Sequence, residues 1–525
     1  MSSTTATAGH RRSPRSSRPE DEYLGAGASF GYGFQHVLTM YGGIIAPPLI
    51  VGGAAGLSSA DQALLVACCL FVGGLATVLQ SFGIKFFGSQ LPLVQGTSFA
   101  GVATMTAIVG GGGGIQAVFG AVMASAVIGF LVAPFFARII RFFPPVVTGV
   151  VITTIGLSLF PVSAQWAQGG AAVAAKGDPH TVFKNVCLAG ATLLIIMLLS
   201  KVRSAIVSRL SILLGIVLGT LLAFLLGMAD FSKVGDGAVF AFPQPFAFGP
   251  PTFQPAAIIS MTIVVLVILT ETTADIIAVG EIVGTDVDRK RIANGLRADM
   301  GASFISPVFN GFTQSAFAQN VGLVAITGVK SRFVVTAGGV IMLLLGLLPV
   351  LGRVVAAVPM PVLGGAGIVL FGTVAASGIR TLGKVKYAGT PNLIIVATSI
   401  GIGMLPIVAP TIYAGFPGWF ETIFHSGISS AAVAAVVLNI LFNEIRIGNP
   451  PEGSGSVFTE APVRYVPIEA LEHLQSHLQE GDTVKDGKLL DAEGKEVPVV
   501  TASGEVVPAP LTQEIPQVRK DSAED

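Results

Sequence analysis

Uncharged apolar stretches recur along this 525-residue chain, at 258–269, 340–348 and 431–438 among others. Only 11% of the residues are charged and 52% are hydrophobic, against about a quarter charged in a soluble domain. The mean hydropathy is +0.76. A helix that crosses a bilayer needs about 20 mostly apolar residues. Fourteen candidate segments meet or approach that length, at 30–53, 61–83, 91–108, 115–137, 144–164, 183–200, 208–228, 255–282, 293–309, 314–328, 333–352, 358–378, 390–408 and 428–444. The expected fold class is therefore an all-α polytopic membrane protein.

Loop charge tests this count, because Lys and Arg accumulate in cytoplasmic loops. The even-numbered loops hold Lys85, then Arg138 and Arg141, then Lys201, Arg203 and Arg209. They continue with Arg289, Lys290, Arg291 and Arg297, with Lys330 and Arg332, and with Arg380, Lys384 and Lys386. The odd-numbered loops hold only Lys176, Lys233 and Arg353. The alternation never inverts, so both termini are expected in the cytoplasm of a plasma (cell inner) membrane. Trp166 and Trp419 fall in outer loops, where interfacial anchors belong. The formal net charge of zero gives no basis for a nucleic-acid partner.

Two short stretches echo each other. Segment three carries Gln95-Gly96-Thr97-Ser98-Phe99-Ala100, and segment ten carries Gln314-Ser315-Ala316-Phe317-Ala318-Gln319-Asn320. Each follows extended or turn-rich chain and precedes an apolar run too short to span a bilayer. Irregular backbone at that depth survives only when buried in protein or lining a cavity. Seven segments per half place the halves in opposite orientations, an inverted repeat with a binding site at its midplane. The expected organisation is a cytoplasmic tail at 1–28, repeats at 29–228 and 255–446, an outer linker at 229–254, and a cytoplasmic tail at 447–525. In the last, Leu471, Leu474 and Leu478 form a stripe, and hairpins are expected around Asp486-Gly487.

Ionisable groups inside membrane segments are costly and mark function. Segment eight holds Glu271, Asp275 and Glu281, the first two on one helical face. Segment nine holds Asp299, and segment one Gln35-His36. A carboxylate accepts paired N–H groups, a carboxamide both donates and accepts, and phenyl rings stack on flat faces. Glu271, Gln319, Phe99 and Phe317 thus suit a neutral planar heterocycle with alternating N–H and C=O edges, such as a purine dione. An inorganic anion would be repelled by Glu271. The glycines at 110–114 precede no Gly-Lys-Ser/Thr, so they are expected to be a flexible outer connection rather than a phosphate loop. Cys68, Cys69 and Cys187 fit no disulfide framework or metal spacing and are expected to be buried small hydrophobes. No enzyme motif appears, and no cofactor or metal is expected.

The combination resembles the nucleobase–ascorbate transporter family, also called nucleobase:cation symporters. Gln319, Asn320, Gly322, Thr327 and Gly328 fill the family's Gln-Asn-x-Gly-x-x-x-x-Thr signature and the residue after it. Gln35-His36, Ser98-Phe99, Glu271 with Asp275, and Asp299 match its other motifs, and the resemblance covers about 30–443. It implies fourteen spans as two inverted seven-segment repeats, core and gate domains, segments three and ten discontinuous, and commonly a homodimer. Carried over, Glu271 and Gln319 hold the purine edge, with Phe99 and Phe317 against its faces and backbone amides near Phe99 and Ala318 assisting beside Ser98. His36, Asp275, Asp299, Asn320 and Gln35 support geometry or proton coupling. Gln319, where uracil-transporting relatives carry Glu, is similar to the xanthine and urate branch. Ala274, where many members have Gly, is expected to alter local helix packing. The implied activity is proton-driven import of xanthine and/or uric acid. A uracil transporter of the same family and a sulfate-type anion transporter of the same architecture are the alternatives.

Overall fold

Helices apolar on every side dominate the structure, as a chain solvated partly by lipid requires. The computed structural model describes residues 18–136, 143–232, 234–387 and 390–445, together with short stretches between 466 and 507. Arg138, Arg141, Lys233, the leucine stripe and Asp486-Gly487 lie outside the described residues.

The chain opens with α1 (Ala26–Ala54) and α2 (Ser59–Phe82), then β1 (Gln95–Thr97), a tight turn at Phe99–Gly101 and the short α3 (Val102–Ile108). Next come α4 (Gly114–Val132), α5 (Pro145–Ser158), α6 (Phe160–Ala167), α7 (Pro179–Lys201) and α8 (Ser211–Leu225). The second half runs α9 (Pro255–Val283), α10 (Arg289–Ile305), β2 (Gln314–Ala316), α11 (Ala318–Thr327), α12 (Arg332–Gly346) and α13 (Pro349–Ala356). It finishes with α14 (Met360–Leu382), α15 (Asn392–Val408), α16 (Gly418–Phe424) and α17 (Gly427–Asn439). Side chains cap several helix starts where backbone N–H groups lack partners. Ser58 accepts from Asp61 N, Asp178 from Thr181 N and Asp288 from Arg291 N.

Among the described residues, eight helices are long and apolar enough to cross a membrane, or nine if α12 and α13, bent by 79°, form one span. The chain is thus a multi-pass membrane protein. Helices α8, α11 and α15 are apolar but shorter than that criterion.

The two echoing stretches meet. Strands β1 and β2 pair antiparallel, with Gln95 opposite Ala316, Gly96 opposite Ser315 and Thr97 opposite Gln314. Thr77 of α2 braces the pair, its hydroxyl accepting from Gln95 N and donating to Gln95 O. Each strand leads into a short helix, so two broken helices start side by side within the buried interior.

Several expectations are corrected. Trp166 is no interfacial anchor: it is buried, with its ring 6.3 Å from that of Phe371. Trp419 is exposed. Cys68 and Cys69 are buried, but Cys187 is exposed on α7. The glycines at 110–114 are a wound turn joining α3 to α4 rather than a free loop, with Gly112 and Gly114 at positive φ. The N-terminal tail is docked from residue 18 onward. Glu20 is fully buried against Arg291, and Arg332 pairs with Asp21.

A separate unit comprises 386–394 and 447–525. Its described parts are a hairpin of β4 (Thr483–Lys485) and β5 (Lys488–Leu490), and a sheet of β3 (Val466–Pro467), β6 (Val499–Val500) and β7 (Val506–Val507).

Candidate functional site

A cavity of the membrane unit that holds buried carboxylates lies where the broken helices begin. Its volume is about 540 Å³. One side is α9, which presents Glu271, Ala274, Asp275 and Ala278. Spacings of three and four residues put these on one helical face. The floor is the two chain breaks, with Ser98 and Phe99 from one and Ser315, Phe317, Ala318 and Gln319 from the other. The opposite side is Thr148 and Ile152 of α5 and a polar edge of α14.

The start of α11 faces the cavity with unpaired backbone N–H groups, an electropositive patch suited to a carbonyl oxygen or an anion. The first break is similar, with Ser98 capping the turn by accepting from Ala100 N. Neither Glu271 nor Gln319 hydrogen-bonds any described residue, and Gln319 is exposed to the cavity. Polar groups in such a site without protein partners are available to a ligand. Asp275 is buried, and its Oδ2 lacks a partner among the described residues.

Phe317 is held edgewise between two glycines. A Cβ placed on Gly43 of α1 would lie 2.7 Å from Phe317 Cε1, and one on Gly96 of β1 would lie 2.7 Å from Phe317 Cε2. Only residues without a side chain leave room for the ring there. Phe99 stands edge-on to Phe371 of α14, with centroids 6.2 Å apart.

The other expected site residues lie behind the cavity wall. Asn320 points away from Gln319 and donates to His36 of α1. Asp299 is fully buried, receiving the Thr272 hydroxyl at 2.6 Å and the Gln80 amide at 3.4 Å. His36, Asn320, Asp299 and Gln35 therefore do not line the cavity. Ala274 does, so its methyl shapes the cavity wall and not a helix–helix contact.

The sequence reading missed the wall opposite Glu271. Thr373, Ser377 and Thr381 recur every four residues through α14, with Arg380 and Lys384 at its end, and all five line the cavity. Hydroxyls at helical spacing inside an apolar segment were the available signal. Loop-charge counting had absorbed the two cations.

Two discontinuous helices starting beside unpartnered carboxylates in a membrane-embedded cavity define a class, the membrane permeases. Residues 27–412 match the model of the Permease family. The chain belongs to that family, the nucleobase–ascorbate transporters, and is a transporter and not an enzyme. It is 40% identical over 435 residues to the uric acid transporter UacT of Escherichia coli (strain K12), across 81% of this chain and 89% of that one. It is also 40% identical to the xanthine permease of Bacillus subtilis (strain 168), across 80% of this chain and 94% of that one. In fold it is similar to the transmembrane domain of a cyanobacterium bicarbonate transporter, BicA. The TM-score is 0.53 at 16% identity, covering 77% of this chain and 97% of that one. SLC26A9 matches with a TM-score of 0.51 at 13% identity, over 78% of this chain and 64% of that one.

Proposed function

We propose that this protein imports an oxopurine, xanthine and/or uric acid, across the plasma (cell inner) membrane by proton symport. One observation carries the reading: the unpartnered Glu271 carboxylate and Gln319 carboxamide share a cavity with Phe99 and Phe317. Carboxylate and amide match adjacent N–H and C=O groups of an oxopurine edge. The rings offer it apolar contact. The names of the uric acid and xanthine transporters that this chain resembles support the same substrate class. The BicA-like fold does not favour bicarbonate, because a site built round Glu271 and Asp275 repels small inorganic anions.

Fourteen segments in two inverted repeats organise the transport cycle in this reading. Paired packing supports it. Helix α1 packs on α12 as α9 packs on α4, and α2 packs on α12 as α10 packs on α4. A two-fold axis in the membrane plane would generate such pairs. Segments five to seven and twelve to fourteen form the gate, and the rest the core. With the basic loops cytoplasmic, Arg380 and Lys384 mark the inner mouth, and the cavity faces the cytoplasm. Asp275, lining the cavity without a full set of partners, is the group assigned to exchange the coupling proton. Dimerisation, implied by the family resemblance, would hold the gate fixed.

Uptake of a radiolabelled panel (xanthine, uric acid, uracil, sulfate) in cells lacking their own purine transporters tests this. Saturable purine accumulation that collapses with the proton gradient is expected. Uracil or sulfate accumulation without purine uptake would refute it.

A further inference from the structure

Resting on the oxopurine reading, we infer that the α14 wall selects substrate by charge, with Arg380 and Lys384 forming a cationic collar that favours the anionic form of an oxopurine. The wall is graded. Thr373 and Thr381 donate their hydroxyls to carbonyls of their own helix, Leu370 O at 2.7 Å and Ser377 O at 3.1 Å. Their oxygens therefore face the cavity as acceptors, suited to purine N–H groups. Beyond them the stripe ends in two positive charges four residues apart.

Position at a helix end, and on the basic side of the membrane, accounts for cations at this level of the fold. It does not account for their lining the cavity that holds Glu271 and Asp275. Of the basic residues in other loops, Arg291 and Arg332 pair with Glu20 and Asp21, while Lys85, Arg289, Lys290 and Arg297 form no ion pair among the described residues, so it is the place of Arg380 and Lys384 on the wall of this cavity that sets them apart. Arg380 and Lys384 are exposed, line the cavity, and form no ion pair among the described residues. Like charges one helical turn apart repel each other, so a bound anion between them would relieve that repulsion.

The cavity also needs them. Glu271 and Asp275 lie deeper on the facing helix, and their charge opposes entry of an anion. Two cations at the mouth offset two carboxylates within, and a low-dielectric vestibule focuses that field. A neutral purine would feel little of the charge at the mouth, whereas a purine monoanion would be drawn to it.

The test is binding to the purified full-length transporter, measured without a proton gradient. At slightly acidic pH the probes are urate, an anion, and xanthine, which is neutral. Arg380→Gln/Lys384→Gln is expected to weaken urate binding about tenfold and xanthine binding less than about twofold. High salt should weaken urate binding to the wild type but not to the double variant. Lys384→Arg, which keeps the charge, should bind both purines as the wild type does. If the double variant does not fold, each single Gln variant should show part of the urate-specific loss. Equal losses for both purines, unchanged urate binding, or a wild type that binds xanthine and not urate would overturn the collar. A wild type that binds neither purine would instead sink the oxopurine reading beneath it.

Discussion

Asn320 Nδ2 donates to His36 Nδ1 at 3.0 Å and to the His36 carbonyl oxygen at 3.2 Å. Both residues are buried. One carboxamide thus ties the middle of α1 to the first turn of α11, where the neighbouring Gln319 reaches into the cavity. The bond also sets the imidazole: Nδ1 accepts, so the proton of the neutral ring sits on Nε2. Asn320 therefore acts through its neighbour, fixing the backbone from which Gln319 projects.

Replacing Asn320 with Leu should leave the buried His36 Nδ1 without a donor, since the His36 carbonyl keeps its bond within α1, at a cost of about 1–3 kcal/mol. The expected result is a lowered Tm in detergent together with weaker purine binding. His36→Gln, which can still accept from Asn320, should restore part of what His36→Leu loses. Binding and Tm both unchanged in Asn320→Leu would show that the bond does not position the site.

The glycines beside Phe317 yield a second prediction. Gly43→Ala and Gly96→Ala each put a methyl where the ring now lies, and Gly96→Ala also meets Ile44 Cγ1 at 2.9 Å. Overpacking of this kind costs about 1–3 kcal/mol. Either variant should reduce purine affinity roughly in that proportion, and Gly43→Ala/Phe317→Leu should recover stability but not affinity. A Gly43→Ala protein with normal affinity would mean that the ring is free to move aside.

Much of this site was legible beforehand because membrane burial makes polar residues conspicuous. Glu271, Asp275, Ser98, Phe99, Phe317 and Gln319 stood out against apolar neighbours, and they share one cavity. What sequence could not supply was direction. Gln319 and Asn320 are adjacent, yet one faces the cavity and the other α1. Asp299 reads as strongly as Asp275 in sequence, but Thr272 and Gln80 occupy it behind the wall. The α14 stripe was passed over because Thr and Ser are ordinary in membrane helices, where they satisfy themselves on the backbone. The docked tail was hidden for another reason: Glu20 and Arg291 are 271 residues apart, and only the fold joins them.

Glu271→Gln should abolish high-affinity uptake while leaving the protein in the membrane, since the amide replaces one acceptor oxygen with a donor. Gln319→Ala should do the same by removing both a donor and an acceptor. Loss of a hydrogen bond to a charged group corresponds to about 1.5–3 kcal/mol, or roughly ten- to a hundredfold in affinity. Uptake and surface expression measured together check this. Wild-type transport in either variant removes that residue from the site.

The buried Glu20–Arg291 pair bears on stability. Arg291 also donates to Ser89 O and Gln90 O, so it joins the N-terminal segment to the α2–β1 connection. Breaking a buried ion pair from one side strands the other charge, costing about 3–5 kcal/mol. Glu20→Ala should lower Tm markedly, whereas Glu20→Ala/Arg291→Met should lower it less, because no lone charge remains. A single variant no less stable than the double would show that the pair is not coupled.

Three hydroxyls join α3 to the start of α17. Thr104 of α3 lies 2.8 Å from Ser426 Oγ and 3.4 Å from Ser429 Oγ, and all three are buried. Beside them α16, whose Phe420 stacks on Phe424 and on Phe416 of the preceding turn, packs against α9 and α3. If the proposed alternating-access cycle holds, the core, with α3, parts from the gate, with α17, and these bonds form and break each turn. Thr104→Val keeps the shape and removes the bond, at a net cost to the closed state of about 0.5–1.5 kcal/mol. The population facing outward should rise several-fold, readable as faster labelling by an impermeant thiol reagent of a cysteine introduced at Ala274. Cys187, already exposed, is replaced by Ser for the assay. Labelling no faster than in the parent would show that the seal is made by the aromatic packing and not by the hydroxyls.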